Sequence, residues 1–203
     1  MFIIGSGGHA KVILDMLLLS NSIVSGLWDD RIEKASVLGI PILGTIDELS
    51  SMQTSEKIII AVGDNTTRKA IAKRLMPFSF ANVIHPASII SKSCLLGTGI
   101  VAMANSTVNV GSTIGNHVII NTNASIDHDC QIGDFVHISP NVALAGNVKV
   151  GNGTHIGIGS AVIQGITIGE NVVIGAGSVI VRDIPDHGVV FGNPGRIRKY
   201  RNE

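Results

Sequence analysis

Three sets of residues in this 203-residue chain have types and spacings that could do chemistry. The first is Asp127-His128-Asp129, an imidazole between two carboxylates. A histidine held by a carboxylate is a suitable general base near neutral pH, because the neighbouring charge stabilises the imidazolium it becomes. Eighteen residues later stands Gly146, whose backbone N–H is open to a ligand oxygen and could hold a developing oxyanion. An exposed histidine taken alone is more commonly a solvated surface residue; the combination with a carboxylate and a glycine is what points to catalysis. The second set is Gly5-Ser6-Gly7-Gly8-His9-Ala10, which fits G-x-G-x-x-A, with Asp29 and Asp30 about 20 residues on. Such a turn lets a pyrophosphate approach the backbone at a helix N-terminus, or it serves packing alone. Asp29 and Asp30 could bind a base or ribose, or merely end a strand. The third set is His137 and His155, also 18 residues apart, which could line a groove, bind metal or stack incidentally.

Whether these residues meet depends on the elements beneath them. From Ile84 to Ile180 every sixth residue is aliphatic, and 16 of these 17 positions are Ile, Leu or Val. The residue four places after each is small or aliphatic, as at Ser88, Cys94, Ile100, Ser106 and Ser112. A period of six fits a coil that turns a corner every six residues, the signature of a hexapeptide parallel β-helix. Three hexads make one coil, so residues 18 apart stack on adjacent rungs. His128 should then project outward with Gly146 on the next rung, and His137 should stack on His155. Glycines that follow the aliphatic position (Gly97, Gly115, Gly133, Gly151, Gly157, Gly169 and Gly175) are expected to supply corners of positive φ.

Residues 1–80 follow a different pattern. Phe2-Ile3-Ile4 reads as a buried strand, and His9 to Leu19 as a helix with Val12, Ile13, Met16 and Leu17 on one face. Ile23–Trp28 and Lys57–Val62 read as further strands, and Asp64–Thr66 caps a helix that ends near Leu75, before Pro77. Strands alternating with helices imply a small parallel sheet. Its ligand edge lies at the strands' carboxyl ends, where Gly5–His9, Asp29-Asp30 and Gly63–Asn65 converge. One such unit supplies a single mononucleotide-binding half, which suits a nucleotide-sugar better than a dinucleotide and argues against a nicotinamide oxidoreductase. Beyond Gly188 a basic tail with Arg196, Arg198, Lys199 and Arg201 is expected to leave the prism, either solvated or touching a cofactor's phosphates.

Fifteen basic residues balance fifteen acidic ones and aromatic residues are 3% of the chain, which argues against nucleic acid as a partner. No apolar run approaches the roughly 18 residues needed to span a bilayer, and Met1-Phe2-Ile3-Ile4 lacks the basic stretch of a signal peptide. Cys94 and Cys130 lie two coils apart, too far for a disulfide. A cytoplasmic, reduced protein without membrane insertion is expected.

Several segments together resemble a known family: Gly5–His9, Trp28–Asp30, Ala61–Asn65, Asp127–Asp129, Ala145–Asn147 and Gly192–Pro194. They are similar to the hexapeptide-repeat acyltransferases, in the branch of the bacillosamine-pathway, perosamine and sialic-acid acetyltransferases. The resemblance implies an α/β Rossmann-like half-domain (1–80), an all-β left-handed parallel β-helix (81–187) and a basic tail (188–203). It also implies a homotrimer that binds acetyl-CoA as co-substrate between neighbouring prisms and uses no metal. By the same resemblance His128 is the general base, Asp129 the residue that orients it (Asp127 being the alternative), and Gly146 the donor to the thioester carbonyl. His137, Gly146, Ile158 and Ala176 contact acetyl-CoA, and Gly7, Gly8, His9, Asp29, Asp30 and Gly63 form the nucleotide-sugar pocket. The implied reaction is N-acetylation of a UDP-4-amino-4,6-dideoxy sugar, with sugar O-acetylation or a non-catalytic nucleotide-sensing scaffold as alternatives. A metal-dependent enzyme of the carbonic-anhydrase kind would place two histidines five residues apart, a spacing that the seven histidines here do not offer.

Overall fold

The computed structural model describes residues 1–31 and 33–201. The N-terminal unit is a five-stranded sheet of order β3-β4-β2-β1-β5. Its strands are β1 (Phe2–Ile4), β2 (Gly26–Trp28), β3 (Ser36–Val37), β4 (Ile40–Gly44) and β5 (Ile58–Ile60). All neighbours run parallel except the β3–β4 hairpin. The helices are α1 (Gly8–Leu19), α2 (Ile46–Ser50) and α3 (Asn65–Arg74). Asp64 caps α3, accepting the Thr67 N–H at 2.8 Å, as its position before the helical run predicts.

The buried stripe of α1 is Ala10, Ile13, Leu14, Met16 and Leu17. Val12 was expected on that stripe but faces solvent, 45% exposed, because Leu14 takes the inward place one residue after Ile13. Ile23, expected in the second strand, is likewise exposed and precedes it. The stripe of α1 packs with Ile3 and Leu27 against Val83, Val101 and Met103, so one apolar cluster ties the sheet to the first rungs of the second unit. Fully burying aliphatic side chains of this size stabilises by roughly 1.5–3 kcal/mol each.

The second unit is a three-sided parallel β-helix of seventeen two-residue strands between Val83 and Ile180. Every partner pair lies 18 residues apart, as the hexads require: Ser125 with Ala143, Gln131 with Lys149, His137 with His155. Face 1 holds the strands at 89–90, 107–108, 125–126, 143–144, 161–162 and 179–180. Face 2 holds those from 95–96 to 167–168, and face 3 those from 83–84 to 173–174. The aliphatic column is buried from Ala102 to Ile180 and only partly covered at Ile84, Ile90 and Leu96, which have no rung beneath them. The second inward column is filled by side chains such as Val118, Ala124, Cys130 and Val136. Cys130 is buried, Cys94 partly so, and both are free thiols.

The corners differ from expectation. Positive φ falls two residues beyond the glycines that follow the aliphatic positions, at Gly99, Asn105, Gly111, His117, Asn123, Asp129, Phe135 and on to Gly177. Those seven glycines have ordinary φ and are small for another reason. A Cβ on Gly97 would lie 2.8 Å from the Gly115 carbonyl carbon, and one on Gly151 would lie 2.6 Å from that of Gly169. At Gly97, Gly115 and Gly133 the absent side chain also makes room for a ladder along the corner between faces 2 and 3. There Asn116, Asp134 and Asn152 each accept a backbone N–H from the coil below, at 2.7–3.0 Å.

The C-terminal segment does not leave the prism. Gly188–Phe191 pairs in parallel with Val173-Ile174, and Arg196–Tyr200 returns antiparallel beside it, extending face 3 to eight strands. Val189 and Val190 are buried, which anchors the segment to the last coil, while its basic residues stay exposed.

Candidate active site

His128 stands at the corner between faces 1 and 2, two residues past the buried Ile126, with its side chain about half exposed. Its Nδ1 lies 2.8 Å from Asp129 Oδ2. Asp129 occupies the positive-φ corner position (φ 59°), and Gly111 below it offers no side chain to block the carboxylate. That hydrogen bond, reinforced by the negative charges of Asp127 and Asp129, raises the imidazole above its usual pKa. Asp127 does not share the orienting role. Its Oδ1 accepts the His128 backbone N–H at 2.8 Å and the Asn109 side-chain amide at 2.9 Å.

With Nδ1 directed at a carboxylate, Nε2 is left as the basic nitrogen. The ring lies over Gly146 on the next rung, so close that a Cβ there would sit 2.5 Å from Nε2. The Gly146 N–H has no acceptor among the described residues, although its carbonyl accepts from Gly165 at 3.0 Å. The backbone N–H groups of Ile158 and Ala176, exposed and stacked at the corner between faces 3 and 1, are also unclaimed. Between those two corners face 1 presents Ser125, Ala143, Ala145, Ala161 and Ile163 along an open trough of about 480 Å³.

The second site is a cleft of about 350 Å³ at the carboxyl ends of β1, β2 and β5. Gly7, Gly8, His9, Asp29, Asp30 and Gly63 all line it, with Ser6, Arg31, Ile46, Thr67 and Ile71. Gly5 needs its φ of 108°, but a Cβ on Gly7 or Gly8 would meet nothing within 4 Å. Packing therefore does not account for those two glycines, and the space above them is open to a ligand. Asp29 braces the turn, accepting from Ser6 N and Ser6 Oγ at 2.7 Å each and from Arg31 N at 2.9 Å. Asp30 accepts from Ile46 N and pairs with Arg74 at 2.8 Å, so both carboxylates shape the cleft through internal bonds.

His137 lies elsewhere, on face 3 under the loop after β5. Its Nδ1 donates to Gly63 O at 3.1 Å, which leaves Nε2 to accept from Asn121 Nδ2 at 3.2 Å. It stacks on His155 with ring centroids 4.8 Å apart, as the 18-residue spacing predicts, and His9 approaches from the helix side at 6.3 Å. Burial, then the neighbouring His155 and Arg68, push His137 down to about pKa 3; burial and Arg68 push His9 down to about 4. These imidazoles are neutral at physiological pH.

Sequence reasoning passed over the residue at the centre of this junction. Arg68, on α3, is 1% exposed. Nothing in Asp64-Asn-Thr-Thr-Arg68 separates it from an ordinary solvated helix arginine, since the atoms that bury it come from distant rungs. Among the described residues no group of three or more His, Cys, Asp or Glu side chains is arranged to hold a metal ion, and no helix is long and apolar enough to cross a membrane.

Residues 1–75 match the PglD N-terminal domain family, and residues 111–146 and 147–182 match the bacterial transferase hexapeptide (six repeats) family. Over 110 residues the chain is 40% identical to UDP-N-acetylbacillosamine N-acetyltransferase of Bacillus subtilis (strain 168), a match that takes in 50% of this chain and 50% of that protein. The fold superimposes on a histidine mutant of perosamine N-acetyltransferase from Caulobacter crescentus, solved in complex with CoA and GDP-perosamine. That likeness has a TM-score of 0.92 and 39% identity, covering 98% of this chain and 96% of the other. The acetyltransferase domain of PglB from Neisseria gonorrhoeae FA1090, in complex with acetyl coenzyme A, gives 0.92 and 39% over 97% of each chain. The chain therefore belongs to the hexapeptide-repeat acyltransferases, with their left-handed β-helix, in the branch of the N-acetyltransferases of nucleotide-linked aminosugars.

Proposed function

We propose that this protein transfers the acetyl group of acetyl-CoA to the amino group of a nucleotide-linked aminosugar, of the UDP-4-amino-4,6-dideoxy type, with His128 as general base. The observation that carries the reading is the corner arrangement: His128 Nδ1 tied to Asp129 at 2.8 Å, with its basic face over the unclaimed Gly146 amide. Nε2 takes a proton from the amine as its lone pair attacks the thioester carbonyl carbon. The Gly146 N–H donates to the oxygen on which negative charge develops; one such donor is typically worth about 3 kcal/mol in the transition state. The carbon–sulfur bond then breaks, and the proton held by His128 passes to the departing thiolate. Asp129 stabilises the imidazolium between those two transfers. No covalent enzyme intermediate is required, and Cys130, the nearest thiol in sequence, is buried inside the prism with its pKa raised chiefly by desolvation.

His137 and the backbone amides of Ile158 and Ala176 are assigned to the acetyl-CoA path, and the cleft at Gly7, Gly8, His9, Asp29, Asp30 and Gly63 to the nucleotide. Within one chain these parts sit on different edges of the prism. The N-terminal unit docks at the corner between faces 2 and 3, where Asn65 Nδ2 donates to Gly153 O and Thr154 O, whereas His128 is at the corner between faces 1 and 2. A homotrimer, in which one copy's cleft delivers its sugar to a neighbour's His128, completes the site. The decisive assay is thiol release from acetyl-CoA with a panel of UDP-, GDP- and dTDP-aminosugars. Turnover with one of them and an N-acetylated product are expected; silence across the panel, or O-acetylation alone, would refute the assignment.

A further inference from the structure

We propose that Arg68 is a positioning residue for the transfer: its guanidinium locks the nucleotide-binding loop Ala61–Gly63 onto the prism, so that the sugar is presented at a fixed height along the β-helix. This rests on the proposed reading of the cleft as the nucleotide site.

Guanidinium offers five N–H donors in a rigid plane, and here every one has an acceptor. Nη1 donates to Val62 O at 3.1 Å and Gly63 O at 3.0 Å, both on the loop that lines the cleft. Nε donates to His117 O at 2.9 Å and one Nη2 hydrogen to Phe135 O at 2.9 Å, two carbonyls on successive rungs of the prism. The last Nη2 hydrogen goes to Asn65 Oδ1 at 2.8 Å, and Asn65 in turn donates to Gly153 O and Thr154 O one rung higher. One side chain thus bridges the cleft loop to three consecutive coils. Gly63 O is shared with His137 Nδ1, so the same loop position also sets which ring nitrogen of His137 carries its proton.

A buried cation is expensive to desolvate, and none of Arg68's direct acceptors is a carboxylate. A leucine or methionine would fill this junction without that cost. What an apolar residue could not do is fix two carbonyls of a ligand loop and two of the prism in one plane. Lysine, with three hydrogens on a single nitrogen, keeps the charge but cannot span the same acceptors. The geometry, more than the charge, is therefore what the position requires.

The test compares wild type and Arg68→Lys as full-length proteins. Free UDP, GDP and dTDP are titrated by calorimetry, and steady-state constants are measured for both substrates. Arg68→Lys is expected to weaken nucleotide binding and raise KM for the aminosugar nucleotide at least about tenfold, while KM for acetyl-CoA, which Arg68 reaches only through His137, rises by a clearly smaller factor. Equal changes in both KM values, or wild-type nucleotide affinity in the variant, would overturn the proposal. If Arg68→Lys does not fold, Asn65→Ala, which removes only one arm of the bridge, must show the same nucleotide-selective change at smaller size, and its absence counts against Arg68. Wild-type protein that binds none of the three nucleotides would refute the reading of the cleft itself, a result separate from nucleotide binding that is indifferent to Arg68.

Discussion

The imidazole at the outer prism corner and the imidazoles at the domain junction are the same group put to opposite uses. His128 is half exposed and bonded to Asp129, and its proton affinity is raised. His9 and His137 are largely enclosed, share their surroundings with the Arg68 cation, and are driven down to about pKa 4 and 3. One arrangement suits a base that must gain and lose a proton; the other suits a neutral ring that serves as a wall and a hydrogen-bonding post. The difference is set by what packs around each ring. A carboxylate one residue away is written into the chain next to His128, whereas the burial and the arginine that silence His137 arrive only with the fold.

The sharpest way to break this contrast is to remove the corner imidazole. His128→Ala should fold unchanged yet lose turnover by a factor of roughly 10² or more, measured as thiol release; retained activity would remove His128 from the mechanism. Gly146→Ala should come next, with a loss of roughly 10- to 100-fold, because the added methyl would displace the ring from the free amide. Asp129→Asn keeps a side chain tolerant of positive φ but ends the support for the imidazolium. It should cost about tenfold and move the acid limb of kcat/KM to lower pH, since the partner that raises the His128 pKa is gone. A limb that stays in place would mean the titrating group is another residue.

A last test probes the junction through stability rather than turnover. His9 and His137 have folded pKa values below the usual 6.5, so between about pH 6.5 and 4 the unfolded chain binds protons that the folded chain refuses. Stability contributed by keeping these rings neutral is full above pH 6.5 and is lost as pH falls, by up to about 1.4 kcal/mol per pH unit for each imidazole. The melting midpoint should be level above pH 7 and decline below 6.5, less steeply in His137→Asn and with the same slope in His128→Ala. An unchanged midpoint down to pH 4 would contradict the burial of these rings.

Much of the architecture was legible because a β-helix repeats its instructions. The pairing of His137 with His155, the outward course of His128 and its stacking against Gly146 all follow from counting 18 residues. The glycine column was legible as a pattern but not as a cause: positive φ sits at Gly and Asn positions and at His117, Asp129 and Phe135, and the glycines instead admit the next coil's backbone and, along one corner, its ladder of side chains. The hairpin at Ser36–Gly44 and the five-residue α2 escaped because they are too short to show a period, although Thr45-Ile-Asp-Glu48 carries the capping box that α2 forms. The C-terminal residues were expected outside the prism, since their charges masked the Val189-Val190 pair that pins them to the last coil.

By itself the sequence determined the six-residue period, and with it the prism, the 18-residue register and the identity of the corner constellation, because those depend on spacing along one chain. Only the tertiary structure decided that Asp129 and not Asp127 holds the imidazole, that Arg68 joins the cleft loop to three coils, and that His137 is a neutral post beneath Gly63. The first turns on the rotamers of neighbouring side chains; the other two turn on distances between segments some 50 to 90 residues apart. Burial and hydrogen-bond partners at such separations are properties of the folded chain that no local pattern encodes.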